Sequence, residues 1–370
     1  MASLLDIGRS GIIAQREALN VTGQNIVNAN TEGYRRRDAS LTEVYGVQSE
    51  LTALSSQTGL GVKVGEIRRA YDVFLTESKR SATARFEASD AFVGKLEQLE
   101  NLILPNDGDL AVVMTAFFDN LTQVAASPSD LAPREAALEM GKTVANAFNT
   151  TASLLTNLMA GTAQEIGVEL VEVNRTLGAL GVINGQLRSS NLGGTPPNSL
   201  LDERDRLLDS LAQKIPVNIK IGERLTAELR LGASDAGPLI LTGEDSKTLS
   251  VVDGESGSIM FRVGAGQIVS QLETGALRGL VDAHGANRRA LGELDALARD
   301  FSQKLNDQHA QGIDLDGQRG RELFAVSDFS VTPRASNKGE AQATIRLVPG
   351  LSDRLGALQM TFDGGRGNGN

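Results

Sequence analysis

Two histidines are the residues of this chain best suited to proton transfer or metal binding, and neither has a partner for that chemistry. The chain has no cysteine, neither His284 nor His309 is followed by a second histidine four residues later, and no serine lies in a nucleophile-elbow pattern. We therefore predict neither a metal centre nor a catalytic triad. Both histidines are expected to pack in the fold or to lie on its surface, and the protein is predicted not to be an enzyme.

Acids and arginines alternate over residues 202–206, which read Asp-Glu-Arg-Asp-Arg. At helical spacing each acid lies within reach of an arginine, so the pattern predicts a salt-bridged, solvent-exposed helix face or a structural cap instead of a catalytic pair. The short basic clusters at 35–37, 68–69 and 288–289 lie among acids. We expect these clusters to be solvated surface.

Two loops have the composition of ligand sites but the wrong spacing. When Gly317 is aligned with the invariant glycine of a calcium loop, Gly312 falls on the first ligand position and Leu323 on the position of the bidentate glutamate. The glycines of residues 59–65 match neither the dinucleotide-binding pattern nor the P-loop. Turns are the better interpretation of both, and no metal or cofactor is predicted.

Composition excludes further classes of function. The net charge of the 370 residues is −10, which argues against a nucleic-acid-binding body. The longest apolar run, Leu110 to Phe118, is much shorter than a membrane span, so no membrane partner is expected. Asp6 and Arg9 interrupt the apolar segment that a signal peptide needs, which by itself favours a cytoplasmic location.

The most regular amphipathic pattern lies at the N-terminus. Two apolar rows have seven-residue spacing: Leu5, Ile12, Leu19 and Ile26 form one, and Ile7, Ala14 and Val21 form the other. This spacing predicts a helix from Ser3 to Val27, about 36 Å long. A lone helix with interior glycines is marginal in water, so its apolar surface must be covered. The pattern leaves open whether the same chain or another subunit covers it.

Helical periodicity recurs along most of the chain, at 71–104, 110–124, 133–188 and 276–311, and the third of these segments has near-heptad spacing. At Pro216 the apolar period changes to two, which indicates antiparallel strands. The predicted fold is therefore mainly α with β insertions: a long-helix bundle with one or two small antiparallel β domains.

We predict four parts of the chain. Residues 1–64 form the N-terminal helix and an extended linker or hairpin, and residues 65–214 with 272–324 form a helical rod. Residues 215–271 are a small inserted β domain, and residues 325–370 are an incomplete β-like segment with a Gly/Asn-rich end.

Residues 25–34, Asn-Ile-Val-Asn-Ala-Asn-Thr-Glu-Gly-Tyr, resemble the N-I-x-N-x-N-T-x-G-Y signature shared by the axial proteins of the bacterial flagellum. Residues 61–75 resemble the G-V-x-V-x-x-I-x-R-x-Y-D-x-F-L segment of one axial family, the FlgK-type hook-associated proteins. Residues 198–205 resemble the N-x-L-L-D-x-R-D block of that family, and residues 274–280 and 306–324 also fit. The resemblance covers residues 1 to about 325.

The resemblance implies a structural subunit that forms the junction between hook and filament by self-assembly of amphipathic terminal helices in an inner layer. The implied subunit-assembly residues are Leu5, Ile12, Leu19, Ile26, Asn25, Asn28, Asn30, Gly33 and Tyr34. The implied partners are other copies of the chain, the hook protein, an FlgL-type hook-associated protein and an export chaperone. The family's C-terminal amphipathic helix, where the chaperone is expected to bind, is not found after Leu358. Export would use the flagellar type III apparatus without a cleaved signal peptide.

Two alternatives remain at this point. The chain resembles other axial proteins, such as hook, rod or FlgL-type junction proteins, in its N-terminal signature, but the block at 198–205 argues against them. A secreted enzyme on a helical scaffold would need a motif such as H-E-x-x-H in its insert, and residues 215–271 contain no histidine.

Overall fold

The structure is a computed structural model that describes residues 4–44, 61–103, 110–190, 197–222, 224–254, 257–313, 318–328 and 343–347. The helices are α1 (Leu4–Val27), α2 (Val73–Ile103), α3 (Leu110–Ala126), α4 (Leu131–Ser190), α5 (Asn198–Lys214) and α6 (Ala276–Gln311). This confirms the mainly helical fold. It also confirms the long third segment, because α4 is one helix of 60 residues.

All strand pairs are antiparallel, and they form four small sheets in the described part of the chain. β1 (Arg37–Glu43) pairs with β2 (Val62–Arg69). The second sheet contains β3 (Val217–Ile221), β4 (Ala227–Leu231), β5 (Leu239–Thr242) and β6 (Asp245–Ser246), and the third contains β7 (Leu249–Asp253), β8 (Ile259–Val263) and β9 (Ile268–Val269). β10 (Phe324–Asp328) pairs with β11 (Ala343–Leu347).

The chain divides into two units. The first contains residues 1–85 and 172–248, and the second contains residues 86–171 and 249–370. The segment predicted as one β domain, 215–271, folds as two separate sheets, and the division between the units falls between them. Alternation of apolar residues indicates strands but not which strands pair, so this division is not encoded in the period.

The first unit joins α4 to the four-stranded sheet through one buried amide. The side chain of Asn184 donates hydrogen bonds to the carbonyl oxygens of Ala227 and Gly243 and accepts one from the backbone N–H of Ala227. Arg188, one turn further along α4, pairs with Glu244. Because the buried amide has partners on both of its polar atoms, it fixes the sheet on the helix at little desolvation cost.

The second unit has a core of phenylalanine rings. Phe117 of α3, Phe148 of α4, Phe301 of α6 and Phe324 of β10 lie with neighbouring ring centroids 5.4 to 6.1 Å apart. Asn306 fixes the backbone at Phe324, because its side-chain amide accepts a hydrogen bond from the N–H of Phe324 and donates one to the carbonyl oxygen of the same residue. Four rings from four different elements therefore meet at one place, where each ring buries a large apolar area.

Helices α2 and α6 touch backbone to backbone at Gly279. A Cβ atom at this position would clash with the carbonyl oxygen of Ala88 and would lie 2.9 Å from the backbone nitrogen of Phe92. In contrast, a Cβ atom at Gly292 of the same helix would have no neighbour within 4 Å among the described residues. Packing therefore requires a glycine at position 279 but not at position 292, so Gly292 can serve as the control for Gly279.

We expect Gly279→Ala to lower the free energy of unfolding by about 1–3 kcal/mol, because the added methyl group forces the two helices apart. Gly292→Ala should raise it by up to about 1 kcal/mol, because alanine is the better helix former. Urea unfolding followed by circular dichroism measures both values. A Gly279→Ala protein as stable as the Gly292→Ala protein would contradict the close contact.

Candidate functional site

Helix α1 has one apolar row that is covered and one that is exposed. Ala14 and Val21 are only 2% and 3% exposed, and Ile7 is half-buried in the same row. In the outer row Leu5 is 84% exposed, and Ile12, Leu19 and Ile26 are at least 70% exposed. We call these four residues the outer row. The structure therefore answers the question that periodicity left open: this chain covers the row of small side chains and leaves the row of large ones in solvent.

The β1–β2 hairpin covers the inner row. Ser10 of α1 accepts a hydrogen bond from the backbone N–H of Val62 at 3.2 Å and donates to the carbonyl oxygen of Ile7. Gly61 lies against this contact with φ +112°, and a Cβ atom there would clash with the Ser10 hydroxyl. The extended linker or hairpin predicted from sequence is thus a hairpin that docks on α1, as far as the described residues show it.

Asn25 connects the end of α1 to the start of β1. Its side-chain oxygen accepts hydrogen bonds from the Tyr34 hydroxyl and the Arg37 N–H, both at 2.9 Å, and its amide donates to the Arg37 carbonyl oxygen at 2.8 Å. One short side chain therefore bonds to two residues, nine and twelve positions later in the chain. This explains why the signature contains an asparagine and a tyrosine nine residues apart.

The rest of the signature forms the turn itself. Asn28 accepts a hydrogen bond from the Thr31 hydroxyl and donates to the carbonyl oxygen of Gln24, and Asn30 is exposed beside it. Gly33 has φ +81°, and a Cβ atom at this position would lie 3.1 Å from that of Arg206. The structure thus places the signature residues in contacts within one chain. Their role in subunit assembly, like that of the outer row, stays a prediction.

Buried ion pairs hold the hairpin on α5. Arg37 contacts Asp202 at 3.1 Å, while Arg69 contacts Asp202 at 3.0 Å and Asp205 at 2.6 Å. Asp202, Asp205 and Arg204 are buried, and Arg204 also donates to Asp205. We call this group the ion-pair cluster. The prediction of a solvent-exposed helix face was therefore wrong for these three residues, and the prediction of solvated surface was wrong for Arg37 and Arg69.

Arg80 extends the cluster to α2. Its guanidinium group contacts Asp209 at 2.6 Å and donates to the backbone carbonyl oxygen of Asp205. Aromatic rings cover the hairpin arginines, since Arg37 lies 4.9 Å from the centroid of Tyr34 and Arg69 lies 5.1 Å from that of Tyr71. Ion pairing and stacking on a ring together replace most of the hydration energy that a guanidinium group loses when it is buried.

A second exposed apolar group lies at the start of α2, and sequence analysis did not select it. Val73, Phe74 and Leu75 are 56%, 76% and 63% exposed. Asp72 begins the helix, because its carboxylate accepts the N–H of Leu75 at 3.0 Å. The signal was present in the family-like block at residues 61–75, whose final Phe and Leu are not buried by the described part of the chain.

The two histidines belong to the second unit. Both are part of α6, and burial lowers the pKa of His284 and of His309, so both imidazoles are neutral near pH 7. Within the described ranges, no group of three or more His, Cys, Asp or Glu side chains is arranged to hold a metal ion. The calcium-like loop tested above, residues 314–317, lies outside the described residues. Among the described helices, none has an apolar stretch long enough to cross a bilayer.

We expect Asp205→Asn to lower the free energy of unfolding by about 3–5 kcal/mol, because Arg69 and Arg204 would lose a buried counter-charge. The matched control is Glu203→Gln on the same helix. Glu203 pairs with Arg206, whose hydrogen bond lowers the pKa of the Glu203 carboxyl group, but the Glu203 side chain is 41% exposed, against 3% for Asp205. This control should cost less than about 1 kcal/mol. Equal losses in urea unfolding would mean that burial adds nothing to the cluster.

Comparison with known proteins gives two family matches. Residues 96–324 match the model of the flagellar hook-associated protein FlgK helical domain, and residues 5–35 match the model of the flagella basal body rod protein. The second match coincides with α1 and its turn.

Curated and solved relatives agree with the first match. Flagellar hook-associated protein 1 of Escherichia coli (strain K12) is 28% identical, covering 98% of this chain and 67% of the relative. The protein of the same name from Bacillus subtilis (strain 168) is 25% identical, covering 95% of this chain and 75% of the relative. The structure of the flagellar hook junction protein FlgK from Burkholderia pseudomallei has a TM-score of 0.57 at 24% identity over 68% of this chain, which shows a shared fold. This chain spans 47% of that structure's length.

Proposed function

We infer the function from one premise: the chain belongs to the family of the flagellar hook-associated protein FlgK. We propose that it is a structural subunit of the bacterial flagellum and forms part of the junction between hook and filament. The proposed role is mechanical and needs no catalytic side chain. The match to rod proteins is limited to α1 and its turn, so it supports an element common to flagellar axial proteins and does not favour a rod function for the whole chain.

The observation that carries the proposal is the outer row of α1. Four large aliphatic side chains lie in solvent along about 32 Å of one helix, since Leu5 and Ile26 are 21 residues apart. Burying them would contribute roughly 6–12 kcal/mol before the entropic cost of association. Such a row on a helix whose opposite side is already docked has the form of an interface.

Glycines on the same side of α1 favour a helix as the partner. At Gly8 and Gly23 a Cβ atom would have no neighbour within 4 Å among the residues that the structure describes. At helical spacing both lie close to the outer row, so a second helix can approach the backbone there. We propose that the outer row packs against terminal helices of neighbouring subunits, as the family resemblance implies.

The partners follow from the family premise. We propose that the chain contacts further copies of itself, the hook protein and an FlgL-type hook-associated protein, and that it reaches the flagellum through the type III export apparatus. An export chaperone is part of the same proposal. The region after Leu358, where the family resemblance would place the chaperone-binding helix, lies outside the described residues.

The test replaces outer-row residues by glutamine in a bacterium that carries the variant as its only copy. We expect Ile12→Gln and Leu19→Gln to leave the free energy of unfolding of the purified chain within about 0.5 kcal/mol, because both side chains are already in solvent. We expect both to cause loss of swimming and hooks without filaments in electron micrographs.

The matched control is Ile13→Gln, an exposed isoleucine of α1 that lies off the outer row. This strain should swim and keep its filaments. If the Ile12→Gln and Leu19→Gln strains swim as well as the control strain, the outer row is not an assembly surface and the proposal fails.

A further inference from the structure

A cavity of about 340 Å³ lies in the second unit between α2, the β7–β9 sheet and α6. Three arginines of α6 line it: Arg278, Arg288 and Arg289. Asp282 is the only acid among the described lining residues. In a chain with a net charge of −10, this cavity carries an excess of positive charge. Arg288 is half-buried and Arg289 is exposed, which agrees for Arg289 with the predicted solvated surface, and both also line this concave wall.

Arg278 and Arg289 differ in whether an acidic side chain of the described residues forms an ion pair with them. Arg278 pairs with Asp282 and donates to the carbonyl oxygen of Leu272, so it belongs to the frame of the cavity. Arg289 is exposed, with one guanidinium nitrogen 3.8 Å from the place where Gly285 would carry a Cβ atom. Within the described part of the chain, no acid forms an ion pair with Arg289.

Neutral groups complete the wall. Ser258, Ser270 and Gln271 supply hydroxyl and amide groups, and Phe92 supplies an apolar surface. His284 is buried at the cavity, and both burial and the charge of Arg288 lower the pKa of His284, so the neutral imidazole can donate one hydrogen bond. The volume lies within the range of sites for small organic ligands, about 300–1,000 Å³.

We propose that this cavity binds a small polar organic molecule with a carboxylate or phosphate group, and that Arg289 holds the anionic group while Arg288 adds to the positive charge of the wall. The planar guanidinium fork presents parallel N–H donors whose spacing matches the oxygens of these anions. The serines and the glutamine face the uncharged polar part of the ligand. Arg278 is a positioning residue, because its own charge is already balanced by Asp282.

The two histidines make a direct test possible, since the chain has no others. We would label histidine in the full chain and follow both imidazoles by NMR while adding citrate or sulfate at constant ionic strength, with potassium chloride as reference. His309→Gln assigns the two resonances. His309 lies 25 residues further along α6, roughly 38 Å away, and serves as the internal control.

We expect saturable movement of the His284 resonance and none of the His309 resonance. A response to citrate alone assigns carboxylate ligands, and a response to sulfate assigns tetrahedral oxyanions, so either supports the proposal. Arg289→Gln should weaken binding by roughly tenfold or more, as loss of a charge-assisted bond requires. Arg299→Gln, an exposed arginine of α6 outside the cavity, should not weaken it.

Arg288→Gln provides a second variant if Arg289→Gln alters the circular dichroism spectrum. The proposal is overturned if neither probe moves the His284 resonance, if both histidine resonances move together in proportion to salt, or if the cavity variants bind as tightly as Arg299→Gln.

Discussion

The contact between the hairpin arginines and the carboxylates of α5 is the interaction on which the N-terminal part of the molecule depends. Arg37 and Arg69 reach Asp202 and Asp205 from the two strands of one hairpin, and all four side chains are largely removed from water. Removing one member leaves a buried charge without a partner, so the cluster acts as a unit. The hairpin is fixed on α5 in this way, and α1 is fixed on the hairpin through Ser10 and Asn25. The direction of α1 is therefore set by charges far from it in sequence.

This arrangement gives the two rows of α1 different tasks. The inner row is built from smaller side chains, and Ala14 allows the hairpin to approach closely, with Gly61 supplying the backbone conformation that the approach needs. The outer row keeps its large side chains in solvent although the helix is already anchored. A helix that is held on one side and apolar on the other can present a preformed surface to a neighbour. The entropic cost of ordering the helix is then met within the chain before assembly.

The sequence predicts the helices well because their apolar periods are long and regular. α4 illustrates this, since the near-heptad positions from Leu138 to Leu187 are buried almost without exception. Periodicity could not show which row of α1 is covered, because both rows have the same spacing. It also could not show that Asp202 pairs with Arg37, which lies 165 residues away, because charge alternation looks the same on a solvated face and in a buried cluster. The N-terminal signature identified the turn residues, but only the structure shows that Asn25 and Tyr34 bond to each other.

Because the chain contains no cysteine, a single introduced thiol reports on one position of α1 without interference. The central claim is that the outer row is exposed in the lone chain and covered in the flagellum. The most direct measurement is the rate of maleimide labelling of Leu19→Cys in the lone chain and in isolated flagella, compared with Asn20→Cys on the polar side of the helix. We expect both thiols to be labelled rapidly in the lone chain. In flagella the Leu19→Cys thiol should be protected relative to the Asn20→Cys thiol. A Leu19→Cys thiol that is already protected in the lone chain, or that labels as fast in flagella as it does in solution, would contradict the claim.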